Sequence, residues 1–142
     1  MVELTAVHTD ALSVGTKLSD VVRGPISRTT LALFAGASGD HNPIHIDTDF
    51  ARAAGLPDVF AHGMLSMAYL AQLLTGWLPQ AQLRRWQARF VSITPVMATI
   101  RCQGEVAELF EEAGERRARI RISAGVEGGA QTLVGEAIVA LA

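Results

Sequence analysis

The chain has 142 residues, of which 49% are hydrophobic and 18% charged, and its formal net charge is −2. This length is enough for one domain with a real hydrophobic core, and the composition excludes a disordered chain. The small negative charge gives no reason to expect a nucleic-acid partner.

Several classes of protein are excluded by what the sequence lacks. No run of about 18 apolar residues occurs, so we expect no membrane span. No basic stretch precedes an apolar one near the start, so we expect no signal peptide. The single cysteine, Cys102, excludes an internal disulfide and favours a reducing, cytoplasmic setting. Residues 1–142 are predicted to form a single domain, with residues 1–13 as a loose arm.

The first elements are predicted from local patterns. Residues 17–23 are predicted to form a strand that ends before Gly24. Ser27 is a suitable N-cap for a helix over residues 28–37. Glycines at 36 and 39 then end that helix and force an irregular loop.

Two further helices are predicted. Thr48 or Asp49 is expected to cap a short helix over residues 50–54. The longest helical pattern covers residues 63–77 and is apolar on nearly every side, which predicts a helix that is buried all round.

After Pro79 the hydrophobic period changes to two, which indicates strands. One-sided alternation is typical of an antiparallel sheet that has one face on a core and one face in water. The apolar helix is the obvious occupant of that core. The sequence therefore predicts an α+β protein with the hotdog fold, a curved antiparallel sheet wrapped around one long buried helix. Turns are expected at residues 112–114 and 127–129.

Asp40 and His45 lie in the loop that follows the first helix. A carboxylate and an imidazole can together hold one water molecule and move its protons. Ser38 and Asn42 are close enough in sequence to orient them. The alternative is that Asp40 makes only an Asx-turn and that Asn42 and Pro43 form a simple turn.

Gly63 stands where a loop meets the long helix. Backbone N–H groups at a helix N-terminus are unpaired and can hold an oxyanion. The alternative is a glycine required for close packing or for a positive φ. His62 is either a ligand or acid, or a buried and hydrogen-bonded side chain. A metal site from Asp40, His45 and His62 has no HxxxH or HxH pairing to support it, and none is expected.

Two stretches together resemble a known family. Residues 37–47, ASGDHNPIHID, and residues 61–65, AHGML, are similar to the (R)-specific enoyl-CoA hydratase motif of MaoC-like dehydratases. The resemblance covers roughly residues 14–141. It implies the hotdog fold and the reversible syn hydration of a trans-2-enoyl thioester to a (3R)-3-hydroxyacyl thioester.

The resemblance also implies roles for residues. Asp40, in an apolar pocket, and His45 would be the catalytic pair that holds the water, and the Gly63 N–H would bind the thioester carbonyl. No metal or redox cofactor is implied, since the substrate itself carries coenzyme A or the phosphopantetheine of an acyl carrier protein. Some relatives carry a serine where Ala71 stands here. The supporting residues would be Ser38, Asn42 and His62, and the acyl tunnel would be lined by Met67, Ala71 and Leu74.

Open strand edges predict a dimer. A homodimer is expected, and a heterodimer with a related subunit remains open. Two other functions stay as alternatives: a non-catalytic subunit that binds acyl thioesters, and a hotdog thioesterase. The intact Asp40 and His45 argue against the first. The absence of Asp and Glu from residues 64–77 argues against the second, because hotdog thioesterases usually rely on a carboxylate on or near the central helix.

Overall fold

The computed structural model describes residues 12–141. The predicted loose arm falls mostly on residues 1–11, outside the described part, whereas Leu12 packs against the core. Whether residues 1–142 form one domain stays a prediction. The elements are β1 (Val21–Arg23), α1 (Arg28–Ser38), α2 (Thr48–Ala53), α3 (Gly63–Thr75), β2 (Leu83–Phe90), β3 (Ile100–Glu112), β4 (Glu115–Val126) and β5 (Gln131–Ala140), with 3₁₀ turns at Pro43–His45 and Gln80–Gln82.

The five strands form one antiparallel sheet in the order β1-β3-β4-β5-β2. Alternate residues of β4 point into the core and are almost completely buried, as the period of two predicts. Helix α3 packs against β1, β2, β3 and β4. The curved sheet around a central helix is the hotdog fold, which confirms the predicted fold class. The inward residues of β4 are Ala118, Ile120, Ile122 and Ala124.

The prediction that the long helix is buried all round is wrong for this chain. Met64 is 57% exposed, and Ala68, Gln72 and Thr75 are exposed below it on the same face. The sheet covers only the opposite face, which carries Leu70. An apolar composition shows that a helix can be buried, but not how much of it one sheet covers.

Local capping chemistry sets the helix boundaries. The Ser27 Oγ accepts a hydrogen bond from the Thr30 N–H at 3.1 Å, which confirms the predicted start of α1. The cap of α2 is Asp47, whose Oδ1 accepts from the N–H groups of Asp49 and Phe50, so the predicted cap at Thr48 or Asp49 is wrong. Strand β1 is shorter than predicted, because only an isolated bridge from Lys17 precedes it.

The outer face of the sheet carries several arginines. Arg117 pairs with Glu112 and Glu115, and Arg119 pairs with Glu108 and Glu136. Exposed ion pairs of this kind contribute little to stability, and they keep this face hydrated.

Within residues 12–141, no helix is long and apolar enough to cross a membrane. The inward-facing Cys102 is buried, and burial raises the pKa of its thiol to about 11.

Candidate active site

The first part of the site is the loop after α1. The helix ends at Ser38 because Gly39 turns into the left-handed region with φ 77°. The Ser38 Oγ accepts a hydrogen bond from the Asp40 N–H at 3.2 Å. The Asn42 Oδ1 accepts from the Ile44 N–H at 3.1 Å and so begins the 3₁₀ turn. The observed hydrogen bonds of Ser38 and Asn42 therefore order the loop backbone.

The two oxygens of Asp40 have different partners. Oδ1 accepts from the Asn42 N–H at 3.2 Å, which is an Asx-turn. Oδ2 lies 3.9 Å from the Nε2 of His45. The side chain is 50% exposed, so residues 12–141 do not enclose it in the expected apolar pocket. One oxygen of Asp40 thus fixes the turn, and the other faces the imidazole. The catalytic role of Asp40 stays a prediction.

The imidazole of His45 is held from behind. It is 8% exposed, and its Nδ1 lies 2.8 Å from the carbonyl oxygen of Phe60. A carbonyl oxygen can only accept, so Nδ1 carries the hydrogen. In the neutral ring Nε2 is then an acceptor, and it faces Asp40. A separation of 3.9 Å is too long for a direct hydrogen bond, and one water beside both atoms can reach each of them.

His62 lies behind the pair and is 1% exposed. Its Nε2 is 3.1 Å from the backbone oxygen of Asp40, and its ring stacks on that of His45 at 4.1 Å between centroids. Burial lowers the pKa of His62; the hydrogen bond to Asp40 opposes that shift, and the neighbouring His45 adds to it. Of the two readings of this residue, the buried and hydrogen-bonded one describes its observed contacts.

Gly63 is the first residue of α3. Its φ is not positive, so backbone conformation does not require glycine here. A Cβ at this position would lie 2.8 Å from the ring of Phe90. Among residues 12–141, neither the Gly63 N–H nor the Met64 N–H has an acceptor. Two free donors at the positive end of a helix are what an oxyanion requires.

A cavity of about 310 Å³ opens beside Gly63. Phe90 and Leu133 give it an apolar lining, and Ser66 and Thr94 add two buried hydroxyls 3.3 Å apart. A larger groove of about 570 Å³ lies on the outer face of the sheet, among Arg119 and its neighbours, and does not include Gly63.

The residues predicted to line an acyl tunnel lie elsewhere on α3. Met67 and Ala71 are half-buried and Leu74 is buried, and none of them lines the cavity beside Gly63. The cavity that does include Leu74 has a volume of about 10 Å³. The tunnel therefore stays a prediction, with a competing location beside Ser66.

The donor atoms of Asp40, His45 and His62 lie within 4.8 Å of one another. Imidazole nitrogens and a carboxylate oxygen are ligands that zinc and iron accept. Folding thus brings together a group that sequence spacing did not favour. Whether the site works without a metal stays a prediction, which chelation tests.

Two contacts of the site had no signal in the sequence. The acceptor for His45 is a backbone carbonyl, that of Phe60, and a backbone group has no residue type to recognise. Phe34 packs edge-on against His62 at 4.9 Å. Leu31, Phe34 and Ala35 share one face of α1 by helical spacing, but spacing does not determine which ring Phe34 contacts.

A family model described as the MaoC like domain matches residues 10–127. A 3-hydroxybutyryl-CoA dehydratase of Methylorubrum extorquens is 31% identical over 139 residues, which cover 96% of this chain and 85% of that protein.

Solved structures are also similar. The R-hydratase PhaJ1 of Pseudomonas aeruginosa, in its unliganded form, has a TM-score of 0.80 and 30% identity, covering 93% of this chain and 84% of that one. An (R)-hydratase of A. caviae involved in PHA biosynthesis has a TM-score of 0.79 and 27% identity, and the match covers 93% of this chain and 98% of that one. With a family model that matches most of its length and relatives that match nearly all of it, this chain belongs to the MaoC-like hydratase and dehydratase family.

Proposed function

We propose that this protein reversibly hydrates trans-2-enoyl thioesters to (3R)-3-hydroxyacyl thioesters. The observation that carries the proposal is the placement of Asp40 Oδ2 and His45 Nε2, 3.9 Å apart. The (3R) configuration is supported by the R-hydratases among the similar structures.

The water would sit beside the Asp40 and His45 side chains. Because the Phe60 carbonyl accepts from Nδ1–H of His45, Nε2 is free to take a proton from that water. The Asp40 Oδ2 would accept the second hydrogen and so aim the oxygen lone pair. The Asx-turn keeps Asp40 in place, since its other oxygen is bound to the Asn42 N–H.

The thioester carbonyl would bind at the free N–H groups of Gly63 and Met64. As the water oxygen bonds to C3, its proton passes to the His45 Nε2 and the π electrons move onto the carbonyl oxygen. The two N–H donors stabilise the resulting enolate. The proton then returns from His45 to C2, on the face where the oxygen was added, and the imidazole is neutral again.

The acyl part would enter the cavity beside Gly63. Phe90 and Leu133 supply apolar surface there, and Ser66 forms part of its wall. The rest of the thioester would extend into solvent, either as coenzyme A or as the phosphopantetheine of an acyl carrier protein. This scheme needs no metal or redox cofactor, because side chains activate the water and backbone donors stabilise the enolate.

A homodimer is part of the proposal. Strand β2 is an eight-residue edge of the sheet, whereas the other edge, β1, has three residues. An open edge of that length is a template for pairing. Phe90 and Val91 at its end are 50% and 43% exposed, so a second copy would cover apolar surface. Light scattering at micromolar concentration should give twice the chain mass, and a monomer would contradict this.

The direct test is to mix the purified protein with crotonyl-CoA and longer enoyl-CoAs and to follow the loss of the enoyl absorbance. Hydration with a (3R) product supports the proposal. Release of free coenzyme A instead would indicate a thioesterase. Thioester binding without either reaction would indicate a non-catalytic subunit.

A further inference from the structure

We propose that His62 is the positioning residue of the site, and that it acts as a neutral imidazole protonated at Nε2. This role rests on the proposed function, because the groups it positions are the ones assigned there to the water and to the carbonyl. His62 contacts the backbone of Asp40 and the ring of His45, and it directly precedes Gly63.

The first contact sets the tautomer of His62. The Asp40 backbone oxygen, 3.1 Å from Nε2, can only accept, so Nε2 carries the hydrogen. Nδ1 is completely buried and has no partner among residues 12–141. In the neutral ring Nδ1 is a bare acceptor. Protonation would place an unpaired donor in a buried position, which is strongly unfavourable.

The second contact supports the reacting imidazole. The rings of His62 and His45 stack at 4.1 Å with 28° between their planes, and Phe34 closes the far side edge-on. Stacking fixes the plane of His45, while the Phe60 carbonyl fixes its rotation within that plane. Together the two contacts aim Nε2 at Asp40.

The charge that His45 acquires during the proposed reaction favours the neutral form of His62. The titratable groups that act on it are Asp40 and His45, and the Phe34 ring of α1, which packs edge-on against it, carries no charge. In the proposed reaction His45 becomes cationic for a moment. A second cation stacked at 4.1 Å would oppose that step, whereas a neutral ring does not. Burial also lowers the pKa of His62, which acts in the same direction.

The backbone also connects His62 directly to the proposed carbonyl site at Gly63. His62 is the N-cap residue of α3, with backbone angles of −54° and 132°. A ring locked against Asp40 and His45 thus fixes the point at which α3 begins, and with it the direction of the Gly63 N–H. One side chain sets the spacing between the water site and the carbonyl site.

The first experiment is ¹⁵N NMR of the imidazoles in the unmodified protein. We expect His62 to keep hydrogen on Nε2 and none on Nδ1 at pH 6.5, where a free histidine is half protonated, because burial lowers its pKa. A His62 that binds a second proton near 6.5, or that carries its hydrogen on Nδ1, would overturn the inference. This measurement does not depend on enzymatic activity.

The second experiment is kinetic. His62→Gln keeps an N–H donor and loses the stacking face, and His62→Phe keeps the face and loses the donor. We expect each to lower kcat for crotonyl-CoA by ~10- to 100-fold, with a much smaller change in KM, because the reacting groups are misplaced rather than removed. The matched controls are His41→Gln and His41→Phe, at an exposed histidine in the loop after α1, and both should be fully active.

Full activity in the His62 variants would overturn the positioning role and leave the proposed function standing. A raised KM with unchanged kcat would overturn it as well. Should the unmodified protein hydrate no enoyl thioester, the proposed function fails, and with it the catalytic purpose of His62. The NMR result would still decide its charge state and contacts.

Discussion

Gly63→Pro tests the backbone donor without disturbing the helix that presents it. Gly63 is the first residue of α3, a position where proline is favoured because its missing N–H has no helical partner. The preceding residue, His62, is already in the extended region that proline requires, at ψ 132°. The substitution therefore removes one hydrogen-bond donor from an intact helix start.

The size of the effect follows from the donor count. The site has two free donors, the N–H groups of Gly63 and Met64, and the variant retains the second. Loss of one oxyanion donor costs ~10²- to 10³-fold in kcat, or about 2.7–4 kcal/mol. We expect that loss for crotonyl-CoA hydration, with a thermal unfolding midpoint near that of the unmodified protein.

Gly63→Ala is the matched control. It adds a Cβ at the same place, 2.8 Å from the ring of Phe90, and keeps the N–H. Phe90 is half exposed and its ring can move aside, so we expect Gly63→Ala to retain most activity. If Gly63→Pro retained as much activity as Gly63→Ala, the donor role of Gly63 would be refuted. If both variants lost most of their activity to the same extent, the loss would be assigned to the contact with Phe90.

Three further predictions concern the sheet, the metal alternative and the acyl chain. Gly135→Ala should destabilise the fold by at least about 3 kcal/mol and lower Tm by roughly 10 °C, because its Cβ would lie 2.0 Å from the backbone oxygen of Gln87 in the neighbouring strand β2. Gly36→Ala, whose Cβ would meet nothing within 4 Å among residues 12–141, should be neutral or stabilising, and similar Tm values for the two variants would contradict this. Activity should survive exhaustive chelation, whereas loss that zinc or iron restores would establish a metal site. If the acyl chain enters the cavity beside Gly63, Ser66→Leu should lower kcat/KM more for twelve-carbon than for four-carbon enoyl-CoAs. If Ala71→Phe, rather than Ser66→Leu, lowers kcat/KM more for the longer substrate, the tunnel runs along α3.

The parts of the fold that depend on short-range chemistry could be predicted from the sequence. Ser27 was identified as the cap of α1 because its hydrogen bond spans three residues. The strands followed from alternation, which depends only on which face of each is buried. The burial of α3 could not be obtained in this way. Met64 and Ala68 are apolar and exposed, and only the extent of the sheet decides that.

The candidate site was also only partly predictable from the sequence. Asp40, His45 and Gly63 became candidates because polar residues and glycine interrupt apolar patterns. The stack of His45 on His62 could not be identified, since it joins side chains seventeen residues apart through the packing of a loop on a helix start. The hydrogen bond of His45 to the Phe60 carbonyl was equally invisible, because every residue offers that oxygen. Sequence thus indicates which groups carry chemistry, and the fold determines which atoms meet.

The measurement that tests the central claim most directly is the rate of crotonyl-CoA hydration by Asp40→Asn. Asparagine keeps the Oδ1 that accepts from the Asn42 N–H, so the turn and the circular dichroism should be unchanged. It replaces the oxygen that faces the His45 Nε2, and the water would lose its acceptor. We predict a fall in kcat of ~10²- to 10⁴-fold. Near-normal turnover by this variant, with unchanged circular dichroism, would contradict the assignment of Asp40 and His45 as the pair that activates water.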